Sequence, residues 1–367
     1  MFIPLNDLQA QFASIKPEVM SAIEDVLDSM HLFLGPQNQQ FEQSFAAYCG
    51  CKHGIGLSNG TDAISLALRA CSIGPGDEVI TVSHSFIATV EAIAQVGATP
   101  VFVDIEQDTY TLDWRQLEGV LSSRTRAIIP VHLYGHPADM QPILDFAQAH
   151  ELRVIEDASQ AHGAIYQGKR VGSFGDIACF SLYCSKNLGA YGEAGICLTN
   201  DEALAERLRM LRDHGSCARY QHEILGVNAR MDEIQAAILN VKMAHLERWN
   251  EQRQAHATVY GEQLRDVVEA VPMVRPGASH VFYIYVVQVR QRDQVHQYLL
   301  EHGIGCSIHY KTPIHLQPAC QHYGYFRGML PVTEAACEQI LSLPMYPELA
   351  AEQIQAVIDG VKQAVIH

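Results

Sequence analysis

The chain has 367 residues, of which 48% are hydrophobic and 18% charged, so it can bury a large core and is neither disordered nor of low complexity. Its 25 lysines and arginines are outnumbered by 41 aspartates and glutamates, which gives a formal net charge of −16. That acidic balance argues against nonspecific binding to nucleic acid or to an anionic membrane, because both need a basic surface.

Cysteine usage and the first residues of the chain indicate the compartment. The 10 cysteines form no Cys-X-X-Cys pair and several lie in apolar runs, so we expect buried, reduced thiols. The first residues lack the basic start and continuous apolar core of a signal peptide, and no stretch of about 18 apolar residues could span a membrane. We therefore expect a soluble cytoplasmic protein.

Short apolar runs alternate with helical patterns in the first 200 residues. Each run predicts a strand buried on both faces, because its apolar residues are continuous. The runs cover residues 54–58, 78–82, 99–104, 127–132, 153–158, 177–182 and 195–199. The helical patterns between them predict βαβ units and a mainly parallel sheet, which binds ligands beyond the carboxyl ends of its strands.

The pattern changes after residue 200. Helical stretches dominate up to residue 264, and a strand-like run at 280–289 begins a different unit. From Glu352 on, apolar residues on one face predict a packed amphipathic helix. We place a domain boundary near residue 245, which gives a large domain of residues 1–245 and a smaller domain of residues 246–367.

Polar residues that could carry chemistry follow the predicted strands. Asp157 ends one strand, and Lys186 lies in a glycine-punctuated loop after the next. Upstream, Gly60 and Thr61 lead from a strand into a helix, whose N-terminus can bind a phosphate to which Ser181 could add a hydroxyl. A phosphate cradle, a carboxylate and a lysine on successive loops are what pyridoxal phosphate needs.

Each of these residues also has an ordinary interpretation. Lys186 could be a solvated charge, Asp157 a helix cap, residues 59–61 a simple turn, and Phe86, a candidate to stack on the cofactor ring, core packing. His132 and His136 have the spacing of helical metal ligands, but they follow a strand and enclose Gly135, so we predict no metal site. No dinucleotide or nucleophile-elbow motif occurs. The order of the candidate residues along successive strand ends favours the cofactor.

Longer motifs in the same order make the chain resemble the DegT/DnrJ/EryC1/StrS family of sugar aminotransferases. They are IPLNDL, FLGPQNQQFEQSFAAYCG, SNGTDAISLAL, PVHLYGHPADM, VIEDASQAHGA, FSLYCSKNLGAYGEAG, LGVNARMDEIQAAIL and HYKTPIHLQPA. The resemblance covers almost the whole chain. It implies the α/β fold of fold-type I enzymes that use pyridoxal 5′-phosphate, with a large mixed seven-stranded sheet, a smaller C-terminal α+β domain and a homodimer.

The resemblance also implies roles for individual residues. Lys186 matches the Schiff-base lysine and Asp157 the partner of the pyridine nitrogen. The other positions that match cofactor contacts are Gln160 near the ring hydroxyl, Gly60, Thr61 and Ser181 at the phosphate, Phe86 on the ring, and Asn228, which reaches the phosphate from the neighbouring subunit. His309, Tyr310 and His315 match the segment that lines the sugar pocket, and Arg219 and Lys311 are candidate diphosphate partners.

The implied reaction moves an amino group from L-glutamate to a nucleotide-linked keto-6-deoxysugar. The loop KNLGAYGEAG resembles that of members that aminate sugar C3, which favours a dTDP-3-keto-6-deoxyhexose. Amination at C4 or of a cyclitol ketone remains an alternative. A sugar dehydratase on the same fold would carry histidine in place of Lys186. A regulatory protein that binds the cofactor without turnover is an alternative of another class.

Overall fold

The computed structural model describes residues 2–366. The α-helices are α1 (Leu8–Ser29), α2 (Pro36–Cys49), α3 (Gly60–Ala70), α4 (Ala88–Gln95), α5 (Leu117–Val120), α6 (Met140–Ala149), α7 (Glu202–Arg212), α8 (Glu233–Met243), α9 (Leu246–Leu264), α10 (Arg292–Glu301), α11 (Pro331–Gln339) and α12 (Ala351–Ile366). The strands are β1 (His53–Leu57), β2 (Glu78–Val82), β3 (Thr99–Val103), β4 (Thr125–Ile128), β5 (Arg153–Asp157), β6 (Ile165–Tyr166), β7 (Lys169–Arg170), β8 (Ile177–Ser181), β9 (Gly195–Thr199), β10 (Ser216–Ala218), β11 (Gln221–His222), β12 (Ala278–Ser279), β13 (Tyr285–Gln288) and β14 (Ile340–Leu343).

A seven-stranded sheet in the order β1-β9-β8-β5-β4-β2-β3 forms the centre of the molecule. Strand β9 runs antiparallel to both of its neighbours, and the remaining pairs are parallel. The predicted mixed sheet is therefore confirmed, and each predicted run overlaps one of its strands. The strand predicted at 127–132 starts earlier, at Thr125, and ends at Ile128. Pro130 has no N–H to donate to a neighbouring strand, which explains the early end.

Both faces of the sheet are covered, which explains the continuous apolar runs. Along β8, Ile177 and Cys179 join the cluster that includes α3 and α7, whereas Ala178 and Phe180 join the cluster that includes α2 and α8. Successive side chains of a strand point to opposite faces, so a strand covered on both faces needs apolar residues at every position.

The chain after α8 builds a second hydrophobic cluster around α9, α10, α12, β13 and β14. Residue 245 lies between α8 and α9, and the division there stays a prediction. Ile3 packs in this C-terminal cluster, and its N–H donates to the Gly303 carbonyl at 2.8 Å. The first residues therefore pack with the C-terminal part of the chain.

The strand predicted over residues 280–289 was wrong in its first half. Only Tyr285–Gln288 forms a strand, in a pair with β14. Phe282 has a φ of 43°, outside the extended region, and its N–H donates to Nδ1 of His280 at 2.9 Å. This local turn brings Tyr283 to the main cavity of the molecule.

Within the part of the chain that the structure describes, no helix is both long and apolar enough to cross a bilayer. The cysteines are all free, and most of them are buried. Cys217, in β10, is exposed and departs from the expected burial.

The two histidines with the spacing of helical metal ligands contact protein groups. His132 contacts Glu156 at 3.1 Å, and the N–H of Arg275 donates to Nε2 of His136.

Candidate active site

The main cavity lies at the carboxyl ends of β5 and β8 and has a volume of about 760 Å³. It is lined by the start of α3, by the residues that follow β5, by the loop after β8 and by residues 309 and 310 from the C-terminal part. This is where an open α/β sheet binds ligands, because loops from neighbouring strands converge at that edge.

Asp157 is the last residue of β5 and is only 5% exposed. Its Oδ2 accepts a hydrogen bond from the hydroxyl of Thr89 at 2.7 Å, and its Oδ1 accepts one from the N–H of Ser159 at 3.2 Å. A buried carboxylate needs such donors, because water no longer solvates its charge. Asp157 therefore presents a fixed negative charge to the cavity.

Lys186 lies on the cavity wall, in the loop between β8 and β9. Its Nζ lies over the Tyr283 ring, 4.4 Å from the ring centre. The face of an aromatic ring attracts a cation, so this contact favours the charged amine. The loop is held from behind, where Asn187 donates to Asn250 Oδ1 at 2.8 Å and Lys242 donates to the Gly189 carbonyl at 2.6 Å. These hydrogen bonds hold the backbone of the loop, so the position of the amine depends on the side-chain conformation of Lys186.

The N-terminus of α3 forms another wall of the cavity. Asn59 caps the helix by accepting a hydrogen bond from the N–H of Asp62 at 2.8 Å. The first N–H groups of a helix have no partner inside it, so those of Gly60 and Thr61 are available to an anion. A Cβ on Gly60 would lie 2.6 Å from the Cβ of Ser181, so only glycine lets the two approach this closely.

An aromatic and polar wall completes the cavity. The rings of Phe86 and Tyr310 are 5.9 Å apart, and Gln160 Nε2 donates to the Tyr310 hydroxyl at 3.3 Å. Burial, and next the charge of Lys186, lower the pKa of His309 to about 4. Burial and the same charge lower the pKa of His162, whose Nε2 lies 2.9 Å from the Ser181 carbonyl, to about 3. Both imidazoles are therefore neutral at neutral pH.

The structure does not bring all candidate residues to this cavity. Asn228 is exposed on a separate groove of about 490 Å³, and Arg219 is exposed beside Tyr220 between β10 and β11. Lys311 is exposed and pairs with Asp293 at 3.2 Å. His315 is fully buried, where its ring contacts Ser83 at 2.6 Å and Glu334 at 3.1 Å. Its side chain is used inside the protein, away from the described cavity lining.

Several residues of the site carried no recognisable sequence signal. Thr89 lies in α4 and Tyr283 in a turn, and each meets its partner far along the chain. Glu193, in the loop that contains Lys186, also lines the cavity. Its position in the motif KNLGAYGEAG could have drawn attention to it.

Comparisons with known proteins agree with this geometry. The DegT/DnrJ/EryC1/StrS aminotransferase family matches residues 13–362. The chain is 47% identical to a pleiotropic regulatory protein of Geobacillus stearothermophilus over 100% of both chains. It is 44% identical to the dTDP-3-amino-3,4,6-trideoxy-α-D-glucose transaminase of Streptomyces venezuelae, over 98% of this chain and 96% of that protein.

A solved structure is similar over the same range. The crystal structure of S. venezuelae DesV in complex with a ketimine intermediate is 44% identical in sequence and superposes with a TM-score of 0.98. The match covers 100% of this chain and 99% of that one. The chain therefore belongs to the DegT/DnrJ/EryC1/StrS aminotransferase family.

Proposed function

We propose that this protein is a sugar-nucleotide aminotransferase that uses pyridoxal 5′-phosphate. The observation that carries the proposal is the convergence of Lys186, Asp157 and the N-terminus of α3 on one cavity. These groups supply an amine, a fixed carboxylate and an anion cradle, and they come from separate parts of the chain. The relatives named above support the same activity.

The residues of the cavity fit this cofactor. The close approach of Gly60 and Ser181 leaves no room for a side chain and keeps the amides at the start of α3 open to a phosphate. Thr61 and Ser181 add hydroxyls to the same cradle, and Asn228 of a second copy would complete it. Bound there, the cofactor would supply an electron sink for charge that develops on the donor carbon.

The remaining cavity residues would fix the ring. Asp157 would stabilise a protonated ring nitrogen by opposite charge, and the fixed donors Thr89 and Ser159 keep that carboxylate in place. Gln160 would contact the ring hydroxyl, and Phe86, whose ring is 5.9 Å from that of Tyr310, would pack on the ring face.

Lys186 would hold the cofactor and act as the acid–base group. Its amine, released when a donor amino acid binds, would take a proton from the donor carbon and later return one to the sugar carbon. The rigid loop behind it and the ring of Tyr283 limit the positions that this amine can reach. Positioning of this kind is a main source of rate acceleration.

We propose L-glutamate as the donor and a dTDP-linked 3-keto-6-deoxysugar as the acceptor. The loop that follows Lys186 and the S. venezuelae transaminase both support amination at C3. His309 and Tyr310, on the cavity wall, are the proposed sugar contacts within the chain. A 4-keto sugar and a cyclitol ketone are the alternative acceptors, and a panel of ketones distinguishes them.

The charges of the cavity support a homodimer with shared sites. Lys186 is the only lysine or arginine among the described residues that line it, whereas Asp62, Asp157 and Glu193 contribute carboxylates. A phosphate, a diphosphate and a dicarboxylic donor need more positive charge than this. We propose that Arg219 and Asn228 of a second copy supply the missing contacts, since both are exposed. Mixing Lys186→Ala and Asn228→Ala chains should then restore activity that neither has alone.

The G. stearothermophilus relative gives a reason to keep a regulatory role as a second candidate, because its name describes regulation. Such a protein would bind the cofactor without multiple turnovers. Lys186 and Asp157 both line the cavity, which favours turnover.

The decisive experiment measures cofactor binding and turnover on the purified protein. We expect a yellow protein whose visible absorbance changes on addition of L-glutamate, and an aminated product with a dTDP-3-keto-6-deoxysugar, identified by mass and NMR. Lys186→Ala should reduce turnover by roughly 10²–10⁴-fold, whereas Lys52→Ala, which removes an exposed lysine, should not. A colourless protein after incubation with excess cofactor would contradict the proposal.

A further inference from the structure

Tyr134 lies behind the cavity wall and contacts two parts of it. It is 2% exposed and has a φ of 59°, a left-handed conformation that is costly for a bulky residue. In this conformation its N–H donates to Oε1 of Gln160 at 2.7 Å, while its hydroxyl donates to the carbonyl of His309. One residue thus fixes both the residue proposed to contact the ring hydroxyl and the segment proposed to contact the sugar.

The hydrogen bonds around Tyr134 connect it, Gln160 and the His309–Tyr310 segment in a closed ring. Gln160 Nε2 donates to the hydroxyl of Tyr310 at 3.3 Å, and Tyr310 directly follows His309. The side chain of His309 is held from its other side, where Nδ1 lies 2.8 Å from the hydroxyl of Ser342 on β14. Gly135 keeps the turn close, because a Cβ there would lie 3.1 Å from the Gln160 carbonyl and 2.8 Å from Val281.

The direction of each hydrogen bond behind Tyr134 follows from chemistry. The His309 carbonyl can only accept, so Tyr134 uses its proton there, and its oxygen must accept from His84, whose Nε2 is 2.8 Å away. A neutral His84 that is protonated at Nε2 has a bare Nδ1. This nitrogen accepts from the thiol of Cys337, 3.4 Å away.

Burial keeps the protons of Cys337, His84 and Tyr134 in place. It lowers the pKa of His84 to about 4 and raises that of Cys337 to about 12. The pKa of Tyr134 is raised well above its usual value for the same reason. At neutral pH the groups therefore have one protonation state and one direction of donation.

We propose that Tyr134 is a positioning residue of the aminotransferase, which aligns Gln160 through its backbone N–H and the His309–Tyr310 segment through the hydrogen-bond chain Cys337–His84–Tyr134–His309. The inference rests on the proposed function, since it assigns an effect on turnover. Its physical basis is that the phenol hydroxyl fixes a cavity wall that would otherwise shift relative to the cofactor, and small displacements of this kind are costly in rate.

The matched test compares Tyr134→Phe with Tyr110→Phe in the cofactor-loaded protein. Tyr110 belongs to the same buried aromatic cluster, with its ring 5.7 Å from that of Tyr134, but its hydroxyl accepts from Gln288, which lies outside the described cavity lining. We expect Tyr134→Phe to bind the cofactor, to change its circular dichroism band in the visible range and to lose roughly 10- to 100-fold in kcat. Tyr110→Phe should change neither. Equal effects of the two variants would overturn the proposal.

A second measurement tests the direction of donation along these hydrogen bonds and does not depend on turnover. In protein labelled with ¹⁵N-histidine, His84 should be the Nε2–H tautomer at neutral pH. The Nδ1–H tautomer would overturn the assignment even if the protein proves to have another function. Tyr134→Phe removes the acceptor at Nε2 and should allow the Nδ1–H tautomer to appear, whereas Cys337→Ala leaves the Tyr134 hydroxyl in place and should keep the Nε2–H form. An unchanged tautomer in Tyr134→Phe would also contradict the direction of these hydrogen bonds.

Discussion

The hydroxyl of Thr89 donates a hydrogen bond to Asp157 across 2.7 Å and so joins helix α4 to the end of strand β5. The same hydroxyl lies 3.0 Å from that of Ser85. Because Asp157 is only 5% exposed, its charge depends on protein donors rather than on water. The proposed partner of the ring nitrogen is thus held by a residue that itself has no chemical role.

Thr89→Val removes this donor with almost no change in shape. Hydrogen bonds to charged groups contribute about 1.5–3 kcal/mol, so we expect cofactor affinity and kcat together to fall by roughly 10- to 100-fold. Thr89→Ser keeps the hydroxyl and should retain most of both. Titration with pyridoxal phosphate and steady-state kinetics measure the effect, and wild-type behaviour of the valine variant would show that Asp157 does not need this contact.

Gly60→Ala should specifically damage the phosphate cradle. The new Cβ would lie 2.6 Å from the Cβ of Ser181, so the start of α3 or the end of β8 must move. We expect cofactor affinity to fall by at least about 10-fold, since the amides at the helix start leave their positions. Gly119→Ala is the control, because Gly119 lies in α5 and a Cβ there meets nothing within 4 Å. Equal cofactor affinity of the two variants would argue against the cradle.

Lys242 makes stability depend on pH. It is 1% exposed, and burial lowers its pKa from 10.5 to about 7. Between these two values the unfolded chain holds a proton that the folded chain has released, so the free energy of unfolding rises with pH by up to ~1.4 kcal/mol per unit. Below pH 7 the amine is protonated in both the folded and the unfolded state, so Lys242 adds no pH dependence there.

The test is the difference between the wild type and Lys242→Met. Other groups also titrate at alkaline pH, but they are common to both proteins and cancel. Urea unfolding at several values between pH 7 and 9.5 should show the wild type gaining stability relative to the variant as the pH rises. A constant difference across this range would mean that the buried amine does not titrate there.

His309 should stay neutral over the working pH range. Burial is the main cause that lowers its pKa to about 4, and the charge of Lys186 adds to it. Lys186→Met should therefore raise the pKa of His309 only part of the way towards 6.5. NMR titration of the imidazole nitrogens follows this directly, and protonation near pH 6.5 in the wild-type protein would refute it.

The sequence predicted the large sheet well for a physical reason. Strands covered on both faces need apolar residues without interruption, as in IACFSL around β8, and such runs stand out in any chain. The strand ends in turn located Asp157 and Lys186. The stretch around Phe282 is equally apolar, but its backbone leaves the extended region because a nearby imidazole accepts its N–H.

The contacts that fix the site could not be predicted in the same way. Thr89 and Asp157 are 68 residues apart, and Tyr134 and His309 are 175 residues apart. Such pairs form only when separate segments pack, so no local pattern announces them. The sequence shows which residues can carry the chemistry, whereas the residues that hold them in place become visible only in three dimensions.

The contact of Ile3 with Gly303 and Gly305 also constrains how the protein is made. Ile3 leaves the ribosome about 300 residues before its backbone partners, so this part of the C-terminal core closes only after residues 303–305 have been made. A fragment that starts at residue 246 lacks Ile3 and leaves those backbone groups unpaired.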